Sequence, residues 1–133
     1  MKVRSGIDSV HIPRIEKMLA GHGDAFVKRT FTERENEYAI SLSSEKRRAE
    51  VYAGRFAAKE AASKALGTGI LTEGIALTDF EIIIDEAGAP EIVFHGKAQE
   101  RAQELHVTSA SVSITHEKDY AAAVCVLLCD EEV

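Results

Sequence analysis

The sequence predicts an α+β fold in which a long central helix packs on a small antiparallel sheet, with short helices near the N-terminus. One observation is the segment from Glu45 to Leu66, whose density of Ala, Lys, Glu and Arg is typical of a helix. The others are two pairs of short apolar segments, at 80–94 and 107–128, each interrupted by a turn sequence. Such pairs are typical of antiparallel hairpins, and packing a helix on a sheet is the simplest way to bury both.

The first forty residues are predicted to form a strand followed by short helices. A mixture of β-branched and polar residues around Gly6 favours a strand. Pro13 suits the first turn of a helix, which Gly21 and Gly23 are expected to end. The predicted elements are a strand at 2–10 and helices at 13–20, 24–29 and 32–40.

Capping residues set the expected ends of the helices. Thr32 is followed three residues later by Glu35, which matches a capping box at the start of the third short helix. Ser44 stands before the central helix and Gly67 stands after it, as is typical of an N-cap and of a helix end. The central helix is therefore expected to run from Ser44 to Gly67.

The second half of the sequence is predicted to form two hairpins with a helix between them. FEIII and EIVF flank the turn sequence DEAGAP, which predicts paired strands at 80–84 and 91–94. A helix is expected from Lys97 to about Leu105. VTSASVSI alternates in period two, turns through THEKD and returns as YAAAVCVLL, which places His116 in a tight turn.

Length and composition favour one globular domain over residues 1–133. The chain has 45% hydrophobic and 29% charged residues, an ordinary balance for a single core. Its longest apolar run, from Tyr120 to Cys129, is about half of the ~20 residues that a membrane helix needs. No apolar signal segment opens the sequence, so we expect a cytoplasmic protein without a membrane span.

The two cysteines, Cys125 and Cys129, lie four residues apart in a predicted strand. At ~3.3 Å per residue their backbones would be roughly 13 Å apart, which is too far for a disulfide. Reduced, buried thiols are therefore expected.

The charge is distributed unevenly along the chain. Residues 1–64 carry 13 Lys and Arg against 9 Asp and Glu, a net +4, while residues 65–133 carry 3 against 13, a net −10. Two interpretations stay open: a basic half that faces an anionic partner, or a solvated surface with uneven charge. A nucleic-acid partner is not expected, because the net charge is −6, aromatic residues make up only 6% and no nucleic-acid-binding motif is present.

The central helix carries a candidate pair of catalytic side chains. Glu60 and Lys64 are four residues apart and so lie on one face of the helix, with Phe56 one turn earlier. One interpretation is an exposed ion pair, the commonest fate of such residues. The other is a site, because surrounding alanines leave room for a backbone or a bulky ligand to approach. Those alanines are Ala57, Ala58, Ala61, Ala62 and Ala65.

Asp8 is a candidate metal ligand near the end of the predicted first strand. Its alternative role is that of a turn residue or a helix N-cap. Mg²⁺ usually takes one or two protein carboxylates and completes its octahedron with water and substrate phosphates. Asp8 and Glu60 together would supply such a site.

A histidine and a basic cluster are the remaining candidates. His116 in the predicted turn is either a solvent-exposed histidine or an accessible site residue. The basic cluster consists of Lys46, Arg47, Arg48 and Arg55. These residues form either a solvated helix face or a phosphate site, since guanidinium groups bind phosphate with two hydrogen bonds at once.

The order of these features resembles one family. RFAAKEAASKALGTGI, preceded by GID and followed by SITHEKDYAAAV, is similar to the signature motifs of the holo-acyl-carrier-protein synthases, within the phosphopantetheinyl transferase superfamily. The resemblance spans nearly the whole chain, and its central motif, Lys-Glu-Ala-x-x-Lys-Ala ending in Gly-Thr-Gly, is highly specific. The opening differs at Arg4, where many members have glycine, and at Ser9, where many have an aliphatic residue.

The resemblance implies a Mg²⁺-dependent transfer of phosphopantetheine from coenzyme A to a serine of an acyl carrier protein, in fatty acid biosynthesis. Asp8 and Glu60 would hold Mg²⁺ beside the pyrophosphate of coenzyme A. Glu60, directly or through a metal-bound water, would be the base, and Lys64 would assist the departing adenosine 3′,5′-bisphosphate. The resemblance also implies a trimer with active sites between the subunits, so a homotrimer is expected.

The same resemblance implies binding roles for further residues. Those placed near coenzyme A are Lys46, Arg47, Arg55, Lys64, Gly67, Gly88, Pro90, Thr115 and His116. Those placed against an acidic carrier protein, on or near the first helix, are Arg14, Met18, Lys28 and Arg29. Two other classes of protein stay open: a non-catalytic oligomer that binds coenzyme A or a nucleotide, and a small thioester hydrolase that would use His116 or a carboxylate.

Overall fold

The computed structural model describes residues 1–68 and 74–130 of the chain. Its helices and strands, in chain order, are β1 (Lys2–His11), α1 (Ile12–Thr30), α2 (Glu33–Ile40), α3 (Glu45–Leu66), β2 (Phe80–Ile84), β3 (Pro90–Phe94), α4 (Gly96–Glu104), β4 (Val107–Glu117) and β5 (Tyr120–Cys129). A short 3₁₀ helix, Leu77–Asp79, precedes β2. Across the two described ranges, none of the helices is long and apolar enough to cross a membrane.

The strands form two antiparallel sheets, and the long helix α3 packs on the larger one. The larger sheet has the strand order β1-β5-β4, and β2 pairs with β3 in a separate hairpin. Side chains alternate along β5, so that Ala121, Cys125 and Leu127 are buried while Tyr120 and Val126 are exposed. The predicted α+β class, with a small antiparallel sheet and a long central helix, is therefore confirmed.

The alanine-rich face of α3 lies at the centre of the core. Ala57, Ala58, Ala61 and Ala62 are all fully buried, and larger side chains such as Phe26 of α1 belong to the same core. Because alanine has only a methyl group, the strands approach the backbone of the helix closely. This close approach places residues of β1 beside the helix residues that are predicted to be catalytic.

The predicted helices at 13–20 and 24–29 form one kinked element, α1, and their predicted separation is confirmed by the kink. α1 continues to Thr30, although its backbone leaves the helical conformation at His22, where φ is −134° and ψ is 43°. His22 lies between Gly21 and Gly23, the residues that were expected to end the helix. The chain resumes its helix directly after this kink, because the burial of Phe26 and Thr30 holds the second half against the core.

The predicted caps are confirmed. The Thr32 hydroxyl accepts a hydrogen bond from the N–H of Glu35 at 3.3 Å, and the Glu35 carboxylate accepts one from the N–H of Thr32 at 2.8 Å. Ser44 accepts from the N–H of Arg47 at 3.2 Å. Gly67 ends α3 in the left-handed conformation, with a φ of 75°. The central helix thus has its predicted bounds.

The placement of His116 in a tight turn is wrong. β4 continues through His116, which pairs with Ala121 of β5, and the last pair is Glu117 with Tyr120. Only two residues remain for the turn, and the first of them, Lys118, has a positive φ of 55°, as two-residue hairpin loops favour. The polar run THEKD suggested an earlier turn, but pairing with β5 extends the strand through most of that run.

The remaining elements agree with the sequence. β2 and β3 form the first predicted hairpin, and α4 occupies the predicted helical segment between the hairpins. Cys125 and Cys129 are both free and buried, as expected. Burial raises the pKa of the Cys125 thiol to about 11, so this thiol is uncharged at neutral pH.

Candidate active site

The strand β1 crosses α3 at Gly6. A Cβ atom at this position would lie 2.0 Å from the carbonyl oxygen of Ala61 and 2.7 Å from the backbone nitrogen of Ala65. No side chain larger than hydrogen fits there, so Gly6 sets the distance between the strand and the helix. Asp8 lies two residues further along β1 and therefore faces the same side of the strand, toward the helix.

Asp8 and Lys64 form an ion pair beside this crossing. Lys64 Nζ donates hydrogen bonds to Asp8 Oδ1 at 3.1 Å and to the carbonyl oxygen of Ile7 at 2.9 Å. The Lys64 side chain is 55% exposed and that of Asp8 is 21% exposed. The pair therefore lies at the border of the core, where a ligand has access to it.

Glu60 is a half-buried carboxylate near this pair. Burial raises its pKa above the ordinary value, and the negative charge of Asp8 raises it further. The positive charges of Lys64 and Arg14 oppose these effects without cancelling them. The structure therefore brings together Asp8, Glu60 and Lys64, the residues for which the sequence predicted metal binding and chemistry.

Two carboxylates that repel one another suit a divalent cation. Mg²⁺ relieves such repulsion and usually accepts only one or two carboxylates from a protein. In the described part of the chain, no three His, Cys, Asp or Glu side chains form a group that could hold a metal. A cation at Asp8 and Glu60 would therefore take its other ligands from water and from a bound substrate, and the residues present fit Mg²⁺ in that way.

A cavity of about 150 Å³ lies between α3, the β2–β3 hairpin and β4. It is lined by four residues that were predicted to bind coenzyme A, namely Arg47, Arg55, Pro90 and His116. Apolar side chains, among them Val51, Ile84 and Ile114, form much of the remaining wall. The cavity thus combines cationic and apolar surface, as a site for a phosphorylated nucleoside requires.

Arg55 is a deeply buried cation of this cavity, with 5% of its surface exposed. Its guanidinium carbon lies 4.7 Å from the centre of the Tyr38 ring, a cation–π contact. Within the described part of the chain, Arg55 Nε has no hydrogen-bond partner. Burial lowers the pKa of Arg55, and the negative charge of Glu35 opposes this shift. An unsatisfied buried donor costs about 1–3 kcal/mol, which an acceptor on a ligand would relieve.

Glu50 contacts two other polar residues of the cavity. Its Oε1 lies 3.9 Å from Arg47 Nη1, and its Oε2 lies 3.4 Å from His116 Nδ1. Glu50 thereby places a negative charge beside both side chains at the edge of the cavity. The sequence did not reveal this role, because an acidic residue beside a basic cluster resembles an ordinary helical ion pair.

The cavity and the carboxylate pair lie on different sides of α3. With a rotation of ~100° per residue, Glu60 is roughly 120–140° around the helix from Gly54 and Arg55. Within one chain, the predicted nucleotide-binding and catalytic residues therefore form two separate groups. A ligand that contacts both groups would have to reach around the helix or lie between two copies of the chain.

Four predicted ligand residues lie outside both groups. One of them, Gly88, lies in the turn between β2 and β3 and does not line the cavity. Lys46 is exposed and lines a separate groove beside α1. Thr115 faces the opposite side of β4 from His116, because successive residues of a strand alternate. Gly67 is left-handed as predicted, but a guanidinium nitrogen of Arg4 lies 2.5 Å from where its Cβ would be, so this side of Gly67 is occupied.

The residues predicted to contact a carrier protein lie along α1. Arg14 is exposed and its charge acts on Glu60, while Met18, one turn later, packs partly against the core. Lys28 and Arg29 are exposed in the second half of the helix, beyond the kink. The helix therefore presents cationic side chains on both sides of the kink.

A fully buried ion pair supports the helix that carries the site. The side chains of Lys59 and Glu35 are both 0% exposed, and Lys59 Nζ lies 2.7 Å from Glu35 Oε1. Lys59 also donates to the carbonyl oxygens of Leu77 and Phe80. Glu35 accepts from the N–H of Ile82 at 2.8 Å. Burial lowers the pKa of Lys59, and the charge and hydrogen bond of Glu35 oppose that shift.

The sequence did not reveal this ion pair. Lys59 is adjacent to Glu60, and only its position around the helix places it on the buried face. The usable signal is a lysine among four alanines, because a charged residue on an otherwise apolar helix face requires a buried partner. The four alanines are Ala57, Ala58, Ala61 and Ala62. The pair connects α3 to α2 and β2, and so holds the helix that carries Glu60 and Lys64.

Comparisons with known proteins identify the family of this chain. The profile of the 4′-phosphopantetheinyl transferase superfamily matches residues 4–125. The chain is 44% identical to a holo-[acyl-carrier-protein] synthase of Carboxydothermus hydrogenoformans over 123 residues, which cover 92% of this chain and 95% of the relative. It is 46% identical to a protein of the same name from Solidesulfovibrio magneticus over 122 residues, which cover 92% of this chain and 94% of that one.

A solved structure gives the same result. The crystal structure of a holo-(acyl-carrier-protein) synthase from Bacillus anthracis, in complex with coenzyme A (3′,5′-ADP), matches with a TM-score of 0.77 and 37% identity over 96% of each chain. The chain therefore belongs to the 4′-phosphopantetheinyl transferase superfamily. Within that class of enzymes it belongs to the holo-[acyl-carrier-protein] synthases, and the family inferred from its sequence motifs is confirmed.

Proposed function

We propose that this enzyme transfers the 4′-phosphopantetheine group of coenzyme A to a serine of an apo-acyl carrier protein and releases adenosine 3′,5′-bisphosphate. The observation that carries the proposal is the convergence of Asp8 and Glu60 beside Lys64. The relatives support the choice of substrates, since they are named for this carrier protein and a similar structure contains coenzyme A. The product would serve fatty acid biosynthesis in the cytoplasm.

Mg²⁺ is the proposed cofactor, held by Asp8 and Glu60. When bound, it neutralises negative charge on the pyrophosphate of coenzyme A. The two carboxylates come from β1 and α3, whose separation is set at Gly6. This rigid support is important because phosphoryl transfer depends mainly on positioning and on charge neutralisation.

Glu60 is the proposed base, and Lys64 is the proposed partner of the leaving group. The serine oxygen of the carrier protein attacks the phosphorus that bears pantetheine, and the serine proton passes to Glu60. The bond between that phosphorus and the bridging oxygen breaks, and adenosine 3′,5′-bisphosphate leaves with the electron pair. The Lys64 ammonium stabilises charge on the leaving oxygen.

The cavity at Arg55 is the proposed site for the nucleotide end of coenzyme A. Arg47 and Arg55 would bind the 3′-phosphate region, whereas Lys46, in a separate groove, would add positive charge from the same helix. The unsatisfied Nε of Arg55 supports this assignment, because a phosphate oxygen would accept its hydrogen bond. Pro90 and His116 would contact the nucleotide from the hairpin and from β4.

A homotrimer is the proposed assembly. The outer face of the β1-β5-β4 sheet exposes large apolar side chains, and their exposed fractions are 63% for Val3, 67% for Ile7, 56% for Tyr120 and 37% for Val126. Contiguous apolar surface of this kind is typical of an interaction site, and a second copy of the chain would cover it.

The separation of the cavity from the carboxylates supports the same assembly, since one copy would supply the carboxylates and its neighbour the cavity. Thr115 lies on this outer face and would reach the site across that interface.

The acyl carrier protein is the proposed partner of α1. Arg14, Lys28 and Arg29 offer positive charge to an acidic partner, which would raise the rate of association. Met18 would add an apolar contact between the two cationic regions. Since the charge of Arg14 acts on Glu60, a carrier that docks on this helix would bring its serine close to the base.

One incubation tests the proposed function against the alternatives. The chain is mixed with coenzyme A, Mg²⁺ and an apo-acyl carrier protein, and the mass of the carrier protein is then measured by mass spectrometry. A gain of one phosphopantetheine is the expected result. An unmodified carrier with coenzyme A bound to the chain would indicate a non-catalytic binding oligomer instead. In a parallel incubation with an acyl-coenzyme A and no carrier, release of free thiol would indicate a hydrolase.

A further inference from the structure

Arg4 binds the C-terminal end of α3. Its Nε donates a hydrogen bond to the carbonyl oxygen of Ala65 at 2.7 Å. Another nitrogen of its guanidinium lies over Gly67, 2.5 Å from where a Cβ would be, so a side chain at Gly67 would displace it. The last carbonyl groups of a helix lack partners within the helix and carry partial negative charge, so a guanidinium at this end stabilises the final turn.

Arg101 of α4 makes a second contact at the same end of the helix. Its Nε donates to the carbonyl oxygen of Leu66 at 3.1 Å. Two consecutive carbonyl groups, those of Ala65 and Leu66, therefore each bind a guanidinium from a different element. The two arginines cap the helix in the same way, but they connect it to different parts of the fold.

Only Arg4 shares a strand with Asp8. Arg4, Gly6 and Asp8 are alternate residues of β1, and all three face α3. Asp8 binds Lys64, and Arg4 binds the carbonyl of the next residue, Ala65. The position of the Lys64 ammonium relative to Asp8 therefore depends on how the last turn of α3 lies along β1.

We propose that Arg4 is a positioning residue for phosphopantetheine transfer. Through the Ala65 carbonyl, it holds the last turn of α3 in place on β1 and so keeps Lys64 at Asp8. Arg4 itself contacts no reacting group, and the inference rests on the proposed function of Lys64 and Asp8. Without Arg4, the end of the helix stays attached to α4 through Arg101 and to β1 through the flexible Lys64 side chain, but its backbone loses the hydrogen bond from β1.

The loss of Arg4 is expected to affect turnover more than substrate binding. The nucleotide cavity lies around Arg55, which is more than two helical turns away from Ala65 on another side of α3. Binding of coenzyme A in that cavity should therefore change little. Lys64 is assigned to the leaving group, whose charge develops in the transition state, so a misplaced ammonium lowers kcat.

Steady-state kinetics of three variants test the inference. Thermal unfolding of each variant is measured as well, so that each rate is referred to the folded enzyme. Arg4→Ala is expected to lower kcat about tenfold, which corresponds to ~1.4 kcal/mol, while the KM for coenzyme A stays within about twofold of the wild-type value. Arg4→Lys keeps a cation that can reach the Ala65 carbonyl and should recover most of the rate. Arg101→Ala is the matched control, since it uncaps the same helix end, and it should lower kcat by less than about twofold.

A double variant separates positioning from general destabilisation. If Arg4 acts through Lys64, adding Arg4→Ala to Lys64→Ala causes no further loss of rate. Equal losses of kcat in Arg4→Ala and Arg101→Ala, or fully additive losses with Lys64→Ala, would overturn the inference. A wild-type chain without transfer activity would reject the proposed function together with this inference. An active wild type whose kcat is unchanged by Arg4→Ala would reject the inference alone.

Discussion

The ammonium group of Lys64 lies 3.1 Å from Asp8 Oδ1 and 2.9 Å from the carbonyl oxygen of Ile7, so the end of the longest helix is attached to the first strand. Glu60, one turn earlier on the same helix, has a pKa that is raised by burial and by Asp8. Three ionisable side chains from two elements thus share one small region. The two elements meet there because Gly6 has no side chain, so the geometry of the site depends on a glycine as well as on charged residues.

Gly6→Ala is expected to destabilise the fold by about 2–3 kcal/mol and to reduce the transfer activity of the folded fraction. The added methyl group would lie 2.0 Å from the Ala61 carbonyl oxygen, so β1 has to move away from α3 and carries Asp8 with it. Chemical denaturation measures the first effect, and the transfer assay measures the second. Gly21→Ala is the control, since a Cβ there meets nothing within 4 Å and neither property should fall. A Gly6→Ala chain as stable and active as the wild type would contradict the close packing of β1 on α3.

Lys59→Met is expected to destabilise the fold by about 3–5 kcal/mol, because it leaves the charge of Glu35 buried without its cation. Adding Glu35→Gln removes that charge and should recover part of the loss. The free energy of unfolding is measured for both variants by denaturant titration. Lys97→Met provides the comparison, because Lys97 pairs with Glu100 at 3.4 Å with both side chains more than half exposed, and its effect should stay below about 1 kcal/mol. Equal losses of unfolding free energy in Lys59→Met and Lys97→Met would contradict the expected cost of leaving the Glu35 charge buried without its cation.

Arg55→Lys is expected to weaken the binding of adenosine 3′,5′-bisphosphate about tenfold, or by ~1.4 kcal/mol. Lysine lacks the planar guanidinium that lies over Tyr38 and lacks the unsatisfied Nε donor. Calorimetric titration measures the affinity. Adenosine 5′-monophosphate has no 3′-phosphate and serves as the control ligand, with similar affinity for both proteins. An equal loss of affinity for the two nucleotides would place the 3′-phosphate away from Arg55.

Lys28→Glu is expected to raise the KM for an acidic carrier protein several-fold at low salt and to leave the KM for coenzyme A unchanged. The exposed charge lies on α1, away from the nucleotide cavity, and salt should reduce the difference between variant and wild type because it screens surface charge. Lys28 is a cleaner choice than Arg14, whose charge also acts on Glu60. Lys97→Glu, on the exposed surface of α4, is the charge-matched control. A parallel rise of the KM for coenzyme A in Lys28→Glu would argue against docking on this helix.

The parts of the fold that depend on neighbours along the chain could be predicted from the sequence. The Ser44 cap, the helix end at Gly67 and the capping box that begins at Thr32 are local features, and all are as expected. The break of the first helix between Gly21 and Gly23 is also as expected. The error occurs where a contact between elements overrides a local signal, since pairing with β5 keeps His116 within a strand.

The candidate site could be predicted only in part. The sequence identified Asp8, Glu60 and Lys64 as candidate site residues. The contact between Asp8 and Lys64, however, depends on the crossing of β1 over α3, which the spacing of these residues along the chain does not predict. Lys59 and Arg4 were missed for the same reason. A buried charge and a helix end capped by a distant arginine result from packing, which the sequence does not display locally.

Calorimetric titration of Mg²⁺ into the enzyme saturated with coenzyme A tests the central claim most directly, namely that Asp8 and Glu60 hold one divalent cation between them. The wild type is expected to bind Mg²⁺ in this titration. Asp8→Asn and Glu60→Gln, each shown to be folded by thermal unfolding, are expected to lose that binding, while Glu16→Gln, a change on the exposed surface of α1, should bind like the wild type. Undiminished Mg²⁺ binding by either Asp8→Asn or Glu60→Gln would contradict the account.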